Sequence, residues 1–516
     1  MRVIAITAFL VARQTQAALQ VDLNSPDSIK GAASLVASDL LTYYHGSEPG
    51  QTPGILPGPP PAGDYYWWES GALWGTLMDY WHYTGDSTYN DLITSSMLFH
   101  TGPPLNAYMP ENYTISMGND DQGFWGLSAM LAAEIGFPDP PDDQPQWLQL
   151  AQAVFNTQVD PGRHDTVCGG GLRWQIPMSN IGYDYKNSIS NGIFFNLGAR
   201  LARYTGNETY AHHARKTWDW MMAIGLMTPD GDVYDGAHTG VNCTDVFKAQ
   251  FSYNAAIFLQ GAAFMYSFTT GEEQALWQHR VQTLLDRTAA FFFRIGPIIE
   301  LSCETPATIL CKTDMLSFKG YTHRWMASTA QLAPFTRDTI MRVLRNSTTA
   351  AINSCKGPLH SGRACGFRWT MGGYDGLTGA GQEMNVLAAL SSLLVDFQGD
   401  DDKNTRKGAP LTGETGGTSK GDPHAGTGKG ADDPTHLTRE MTRGDRVGAW
   451  FLTVFTLGTI VAAFVLMGTG RFEDREGMAA AVEKKNREKE MEMEMKKKEL
   501  SIWYKIAREV VLRHQG

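Results

Sequence analysis

The side chains best suited to acid–base and nucleophilic chemistry are two adjacent carboxylic acids, Asp120 and Asp121. They stand in the segment MGNDDQGFWGLSAMLAAE (117–134), at the start of an apolar helical run. Glycoside cleavage uses two carboxyl groups, a proton donor with a raised pKa and an ionised partner. Adjacent residues at a helix start can meet the separation of about 5–5.5 Å that retaining enzymes use. Mutual repulsion would also push their pKa values apart.

A simpler interpretation of the same pair is also open. Aspartates at a helix N-terminus accept hydrogen bonds from free N–H groups and interact favourably with the helix dipole. A second Asp-Asp pair, at 142–143 among prolines, shows how readily this dipeptide arises. The dipeptide alone therefore favours capping, and a catalytic interpretation needs support from the elements around it.

Those elements are apolar helical segments that recur along the chain. Glycines at 85, 136, 206 and 271 close four of the segments, where a left-handed helix end suits glycine. Each segment is apolar on several faces, which indicates burial, and a second helical run follows it. This helix-pair repeat predicts an all-α (α/α)6 barrel with six inner and six outer helices. An open α-solenoid is the alternative.

The starts of the inner segments are polar or aromatic, and in a closed ring they would converge on one mouth. Aromatic rings stack on sugars and amides bind hydroxyl groups, so the pattern predicts a carbohydrate cleft. The predicted substrate-binding residues are Trp67, Trp68, Glu69, Asn119, Gln122, Trp125, Trp174, Asn191, Tyr253, Asn254, Lys319 and Arg324. Core packing is an equal alternative for each aromatic residue, and salt bridges within the barrel are favoured for Lys319 and Arg324.

Composition and motifs exclude several other functions. The chain has 43 Lys plus Arg against 54 Asp plus Glu, a formal charge of −11, which argues against nucleic acid as a partner. It contains no HExxH, P-loop or zinc spacing of Cys and His. We therefore expect neither a metal ion nor a cofactor.

Several features predict export from the cell. Residues 1–18 combine a basic start, an apolar run and a small-residue cleavage site, which is typical of a signal peptide. N-glycans are predicted at four sequons, Asn112, Asn207, Asn242 and Asn346.

The six cysteines make an even set, as expected in an oxidising compartment. Fifteen pairings can be drawn between them. Short loops favour Cys303–Cys311 and Cys355–Cys365, which leaves Cys168–Cys243.

Changes in composition along the chain also predict the domain boundaries. Residues 19–397 are the predicted barrel domain, and residues 398–447 are predicted to be a flexible Gly/Asp/Thr-rich linker. The uncharged segment 448–468 is long enough for a transmembrane helix. The charged tail, residues 469–516, is rich in lysine and fits the cytosolic side of a membrane.

Eight stretches carry a family resemblance: YYWWESGALWGTLMDYWHYTGD (65–86), MGNDDQGFWGLSAMLAAE (117–134), GGLRWQI (170–176), KNSISNGIFFNLGARLARYTGNETY (186–210), FSYNAAIFLQGAAFMY (251–266), FKGYTHRW (318–325), CGFRW (365–369) and GQEMNVLAAL (381–390). In these stretches the chain resembles glycoside hydrolase family 76, the endo-α-1,6-mannanases, and more closely its fungal cell-surface branch. The resemblance implies an (α/α)6 fold and a retaining mechanism. It also implies that Asp120 is the nucleophile and Asp121 the general acid/base.

The resemblance further implies a role in the fungal cell wall. The enzyme would cleave the mannose core of GPI anchors and pass the protein-bearing glycan to wall glucan, at the outer face of the plasma membrane. Its partners would be α-1,6-mannose-containing glycans, GPI-anchored proteins and a glucan acceptor. Members of this branch end in a GPI signal, whereas here a charged tail follows the segment 448–468. That segment is therefore either a GPI-signal segment or a single-pass helix.

Two other functions stay open at this stage. A toroid with an aromatic cleft could bind mannan without cutting it, as a wall scaffold. A different (α/α)6 enzyme could act on uronic-acid sugars, which predicts that basic residues dominate the mouth.

Overall fold

The computed structural model of the chain describes residues 18–304, 310–359, 361–398, 409–427, 450–462 and short pieces between 483 and 495. These residues belong to two units, Met1–Leu437 and Thr438–Gly516. The predicted signal peptide lies, apart from Ala18, outside the described residues.

The described part of the first unit is built from α-helices joined by loops. In chain order they are α1 (Pro26–Leu41), α2 (Trp67–Thr84), α3 (Asn90–Phe99), α4 (Glu111–Thr114), α5 (Asn119–Glu134), α6 (Trp147–Val159), α7 (Ser188–Thr205), α8 (Glu208–Ala223), α9 (Ser252–Phe268), α10 (Gly271–Phe292), α11 (Phe318–Leu332), α12 (Arg337–Ser354) and α13 (Ala380–Leu393).

Six of these helices form a closed inner ring. Helices α2, α5, α7, α9, α11 and α13 each pack against the next in this order, and α13 packs back against α2. The outer helices α3, α6, α8, α10 and α12 each pack on the inner helix that precedes them, while α1 packs on α13. The predicted (α/α)6 barrel is therefore present, and the contact between α13 and α2 rules out the open solenoid.

Close helix packing explains the glycine content of the inner ring. A Cβ atom added to Gly192 of α7 would lie 2.6 Å from a methyl carbon of Ile257, on α9. A Cβ added to Gly261 of α9 would lie 2.4 Å from the ring of Phe195. Both distances are too short for a real contact, so these glycines allow α7 and α9 to approach each other.

Loops and a small sheet cover the end of the barrel where the inner helices begin. The antiparallel sheet has the order β1 (Tyr185–Asn187), β2 (Gly236–His238) and β3 (Val246–Phe247). Asn187 pairs with Gly236, and Gly236 pairs with Phe247. The sheet leads directly into α7, so it fixes the residues that stand in front of that helix.

All three predicted disulfides are confirmed. The structure contains the pairs Cys168–Cys243, Cys303–Cys311 and Cys355–Cys365. The first pair joins loops 75 residues apart in sequence on the mouth side of the barrel. The four sequon asparagines are all exposed, as an attached glycan requires, and glycosylation itself stays a prediction.

The prediction of a flexible linker is wrong for residues 409–427, which we call the strap. The strap lies against the barrel, beginning at the end where the inner helices stop. The N–H of Leu411 donates to the carbonyl of Glu134 at 2.6 Å, and the Arg203 guanidinium donates to the carbonyl of Pro410 at 2.8 Å.

The strap then follows helix α6. The hydroxyl of Ser419 accepts from the Leu148 N–H at 3.0 Å, and the Asn156 amide donates to the Ala425 carbonyl at 2.8 Å. The composition of the strap resembles that of a disordered segment because it has few side chains to bury. Main-chain hydrogen bonds to the barrel hold it instead, and these leave no pattern in the sequence.

The predicted membrane segment is described only in part. Residues 450–462 are helical. Among the residues that the structure describes, no helix is both long and apolar enough to cross a bilayer. The rest of the segment 448–468, and most of the charged tail, lie outside the described residues.

Candidate active site

A cleft opens at the mouth of the barrel and encloses about 440 Å³. This volume is in the ordinary range for a small-molecule or oligosaccharide site. The cleft is lined by residues from different helix starts and from the mouth loops: Tyr66, Trp68, Ser116, Asp120, Asp121, Phe124, Trp174, Gln175, Tyr185, Asn187, Ile189, Asp235, Tyr253 and Asp314. The structure therefore places both candidate catalytic aspartates in one aromatic and acidic cleft.

Asp120 is buried at the beginning of α5, with 8% of its surface exposed. Its Oδ1 accepts a hydrogen bond from the N–H of Asp121 at 3.0 Å. Its Oδ2 accepts one from the side-chain amide of Asn187 at 3.1 Å. Both donors favour the ionised carboxylate, because each hydrogen bond is stronger to a negative oxygen.

Asp121 is the third residue of α5, and its Oδ2 accepts from the N–H of Gly118 at 2.6 Å. This bond caps the helix, so the capping interpretation of the sequence describes real contacts of Asp121. Capping and chemistry are compatible here, because the same side chain also lines the cleft.

The position of Gly118 sets an upper limit on the distance between the two carboxyl groups. A Cβ atom placed on Gly118 would lie 2.3 Å from Oδ1 of Asp120 and 3.2 Å from Oδ2 of Asp121. Two atoms that close to one point are themselves no more than 5.5 Å apart. This upper limit allows the separation of about 5–5.5 Å found in retaining glycosidases and is shorter than the roughly 6.5–9.5 Å of inverting ones.

Burial and mutual repulsion favour a state in which one aspartate of the pair is protonated and the other is ionised. Burial raises the pKa of Asp120 to about 7, and hydrogen bonds from Asn187 and from main-chain N–H groups oppose this rise. Burial and then the charge of Asp120 raise the pKa of Asp121 well above its ordinary value. Asp120 has more donors to its ionised form, so we assign the negative charge to Asp120 and the shared proton to Asp121.

Asn187 is held in place by the β1 strand and by a buried lysine beside it. The Lys186 ammonium donates to Oδ1 of Asp165 at 2.8 Å and to the carbonyls of Gly170 and Gly171 at 2.6 and 2.9 Å. These contacts hold the loop that contains Gly170 and Gly171 against β1. The side chain of Asn187 therefore reaches Asp120 from a rigid position.

Two further carboxyl groups line the cleft. Asp235 accepts from the hydroxyl of Tyr185 at 2.8 Å, and burial raises its pKa. Burial also raises the pKa of Asp314 to about 6. No lysine or arginine lines the cleft within the described residues, which contradicts the mouth predicted for an enzyme of uronic-acid sugars. The described residues also contain no group of three or more His, Cys, Asp or Glu arranged to hold a metal ion.

Four of the predicted substrate-binding residues lie at or beside the cleft. Trp68 and Tyr253 are buried in its wall, and Trp174 is 36% exposed at its edge. Trp67 lines a neighbouring pocket, with its ring stacked between Tyr113 and Trp125 at 5.4 and 5.0 Å.

Six other predicted substrate-binding residues do not line the cleft but lie buried behind it. Glu69 caps its own helix by accepting from the N–H of Tyr66 at 2.7 Å. Trp125 is fully buried against Trp67, and Asn254 is likewise fully buried outside the cleft lining.

The other three of these six residues are amides. Asn119 donates to the carbonyl of Arg173 at 3.0 Å, and Gln122 donates to the carbonyl of Ala107 at 2.7 Å. Asn191 binds both main-chain groups of Leu172, at 2.7 and 3.0 Å. All three amides therefore fasten mouth loops to inner helices.

The two predicted basic residues do not line the cleft either, and the salt-bridge alternative describes both. Lys319 is fully buried and lies 2.7 Å from both a carboxylate oxygen of Glu304 and the carbonyl of Phe367. Arg324 pairs with Asp79. Helix α11 begins at Phe318, so Arg324 lies about 9 Å along the helix from the mouth.

Sequence reasoning missed Asn187, Asp235 and Asp314. They lie in a strand, a loop and a short 3₁₀ helix, respectively, just before an inner helix or between two. The signal that could have found Asn187 is its place directly before α7, within the stretch KNSISN. Helical periodicity points to residues inside a helix, whereas the cleft is built largely by the residues in front of it.

The chain matches known proteins over most of its length. The profile of the family described as Glycosyl hydrolase family 76 matches residues 28–405. A relative from Saccharomyces cerevisiae, "Mannan endo-1,6-alpha-mannosidase DCW1", is 42% identical over 468 residues, covering 89% of this chain and 98% of the relative.

Solved structures with the same fold agree with this match. The crystal structure of Dfg5 from Chaetomium thermophilum in complex with glucosamine has a TM-score of 0.75 and 52% identity, covering 80% of this chain and 98% of that chain. A more distant fold neighbour is an inactive variant of the α-1,6-mannanase GH76A of Salegentibacter sp., solved with α-1,6-mannotetrose. It has a TM-score of 0.55 and 16% identity, and the match covers 71% of this chain and 99% of that one.

The raised pKa of Asp121 predicts a pH-dependent cost in stability. The folded protein holds this proton to higher pH than the unfolded chain does, so stability falls as the pH rises above about 4. Asn cannot ionise, so Asp121→Asn should raise Tm at pH 8 by about 2–4 °C. The difference should vanish as the pH falls towards about 3, because the carboxyl group is then mostly protonated in both states.

Thermal unfolding of the two proteins across this pH range checks the prediction. Asp143→Asn, on an exposed loop at the other end of the barrel, is the matched control and should shift Tm by less than about 1 °C. A difference between wild type and Asp121→Asn that is the same at every pH would contradict the assignment.

Proposed function

The chain belongs to glycosyl hydrolase family 76, and on that premise we propose that it is a retaining endo-α-1,6-mannosidase and transglycosylase. Its enzyme class is glycoside hydrolase, of the mannan endo-1,6-α-mannosidase type. The observation that supports the retaining mechanism most strongly is the placement of the Asp120 and Asp121 oxygens within 5.5 Å of each other inside the cleft.

In the first half-reaction the Asp120 carboxylate attacks the anomeric carbon of a mannose residue bound in the cleft. A bond forms between this carbon and an Asp120 oxygen while the glycosidic bond breaks. Asp121 gives its proton to the leaving oxygen, so the leaving glycan departs as a neutral alcohol. The product is a covalent mannosyl-enzyme with Asp121 ionised.

In the second half-reaction Asp121 acts as the base. It takes the proton of an incoming hydroxyl group, the new glycosidic bond forms, and the bond to Asp120 breaks. Water as the incoming group gives hydrolysis, and a sugar hydroxyl gives transfer. Retained configuration at the anomeric carbon follows from two successive inversions.

The biological role in this proposal is the attachment of GPI-anchored proteins to cell-wall glucan. The donor is the mannose core of a GPI anchor and the acceptor is a glucan chain. The protein would act at the outer face of the plasma membrane, after removal of the signal peptide and with the segment 448–468 as its membrane anchor. Three disulfides and four exposed sequons support passage through the secretory pathway.

The direct test uses the full chain with an α-1,6-mannooligosaccharide donor and a labelled β-glucan oligosaccharide acceptor, followed by mass spectrometry. We expect the labelled acceptor to gain mannose. Asp120→Asn should abolish both transfer and hydrolysis, and Asp121→Asn should slow them about 10²–10⁴-fold.

Other outcomes of this test would overturn parts of the proposal. Shortened mannosides with an unchanged acceptor would identify a simple hydrolase. Binding of the donor without any turnover would favour the wall-scaffold function.

A second prediction concerns Gly118, because a side chain there would displace Asp120. The Cβ of Gly118→Ala would lie 2.3 Å from Oδ1 of Asp120, so the carboxylate must move. A displacement of about 1 Å at a nucleophile costs on the order of 10²-fold in rate. We expect kcat to fall by this factor with little change in Tm.

The matched control is Gly240→Ala, also on the mouth side, where an added Cβ meets no atom within 4 Å. It should leave kcat for the mannooligosaccharide within about twofold of wild type. Equal rates for Gly118→Ala and Gly240→Ala would contradict the placement of the nucleophile.

A further inference from the structure

A second cavity, of about 480 Å³, lies on the side of the barrel, and we call it the α8 pocket. It is enclosed by the end of α6, the loop 160–170 that follows α6, one residue of α7 and the middle of α8. Its volume is in the ordinary range for a ligand site. In the described part of the chain, no residue lines both the α8 pocket and the catalytic cleft, so the two cavities are separate.

Basic side chains dominate the polar part of the α8 pocket. His213 and Lys216 are three residues apart on α8, so they share one face of that helix. His164, from the loop after α6, lines the same pocket. Lys216 makes no hydrogen bond or ion pair with any residue that the structure describes. Among the described lining residues, Asp165 is the one carboxylate.

Asp165 does not neutralise this basic group, because two other cations already hold it. Its Oδ2 accepts from the guanidinium of Arg173 at 2.5 Å, and its Oδ1 accepts from the ammonium of Lys186 at 2.8 Å. The three groups together carry one net positive charge. The ammonium of Lys216 adds a further positive charge to the same side of the barrel.

The two imidazoles are affected by this surplus of positive charge. Burial, together with the charges of Lys186, Lys216 and His213, lowers the pKa of His164 to about 4, against the hydrogen bond to the carbonyl of Gln158. Burial and the charges of His212 and Lys216 also lower the pKa of His213. Both imidazoles are therefore neutral near pH 7, while Lys216 stays a cation without a counter-ion.

The catalytic cleft has the opposite charge. Asp120, Asp121, Asp235 and Asp314 line it, and no lysine or arginine does so among the residues that the structure describes. A phosphate group would therefore be repelled by the cleft and attracted by the α8 pocket. On a chain with a formal charge of −11, such a local concentration of positive charge favours a specific anionic ligand.

We propose that the α8 pocket binds a sugar phosphate, with the phosphate group at Lys216 and His213. The ammonium of Lys216 supplies a positive charge and three N–H donors, and a neutral imidazole supplies one N–H donor. The hydroxyl of Thr166 lines the same pocket and can donate a further hydrogen bond. The inference goes beyond the proposed function, because the pocket shares no described lining residue with the cleft.

The size and the apolar side of the α8 pocket favour a sugar phosphate over a phosphate ion. A phosphate ion would fill only a small part of the 480 Å³. Val159, Pro161 and Phe194 form an apolar side on which the C–H groups of a sugar ring can pack. The ring of Phe194 is fixed by stacking on Phe155, with 4.8 Å between the ring centroids. A phosphorylated residue of a glycan presents both chemical groups, so the pocket gives the enzyme a second point of attachment to such glycans.

Titration of the full-chain protein with mannose 6-phosphate, followed by ligand-observed NMR, tests the proposal. The proteins compared are wild type, Lys216→Ala, Lys216→Arg, His213→Phe and the control Lys356→Ala. Lys356 is an exposed lysine that follows α12 and lies outside both cavities. The titration is repeated in Asp120→Asn with α-1,6-mannotriose present at saturation, so that the cleft is filled and the trisaccharide is not consumed.

We expect a dissociation constant of about 1 mM for mannose 6-phosphate in wild type. Lys216→Ala should weaken binding about tenfold, because a hydrogen bond from a charged donor is lost. His213→Phe keeps the ring but loses the N–H, so it should weaken binding about threefold. Lys216→Arg and Lys356→Ala should change the affinity by less than about twofold. Inorganic phosphate should compete, with an affinity about tenfold lower.

Equal affinity in wild type and Lys216→Ala would overturn the proposal, as would the absence of binding at 10 mM, on the order of ten times the expected dissociation constant. Displacement of mannose 6-phosphate by α-1,6-mannotriose would overturn it too, because the sugar phosphate would then occupy the cleft. Inorganic phosphate that binds as tightly as mannose 6-phosphate would contradict the assignment of the apolar side to a sugar ring.

Failure of the proposed function gives a different result. In that case wild type would turn over no α-1,6-mannoside, while the binding of mannose 6-phosphate would still depend on Lys216.

Discussion

Two carboxyl groups that are buried side by side, with one negative charge between them, constrain the whole mouth of the barrel. Even at the upper limit of 5.5 Å, and at an effective dielectric constant near 20, two full charges would repel by about 3 kcal/mol. Burial adds a further penalty for each charge. The site reduces these costs by leaving a proton on Asp121 and by giving the charge on Asp120 two hydrogen-bond donors. As a result, two chemically identical side chains differ in protonation state, as the proposed reaction requires.

The residues of the site come from different places in the chain, so the site depends on the closed ring of inner helices. The aspartates belong to α5, Asn187 precedes α7, and Asp314 precedes α11. Only a ring in which every inner helix begins at the same end brings these residues together. Scaffold contacts at the mouth, such as those of the Lys186 ammonium with four oxygen atoms, then hold the loops that complete the cleft. The reacting groups therefore lie close together, while their exact positions depend on the whole barrel.

The features that could be predicted from the sequence are those with a period or a required residue type. The inner helices are apolar on several faces, their ends carry glycine, and the aspartate pair sits in a distinctive segment. Arg324 was misplaced because the true start of α11 lies at Phe318, which moves Arg324 to the middle of the helix. Asn187, Asp235 and the strap lie outside periodic elements, and long-range contacts alone fix their positions. Patterns of neighbouring residues do not encode such contacts.

The central claim is that Asp120 forms a bond to the sugar while Asp121 moves the proton. Covalent trapping with a fluorinated α-mannosyl fluoride, followed by peptide mass spectrometry, tests it most directly. The account predicts one added sugar on the peptide that contains Asp120, and no adduct in Asp120→Asn. An adduct on another residue, or turnover that yields a product of inverted anomeric configuration, would contradict it.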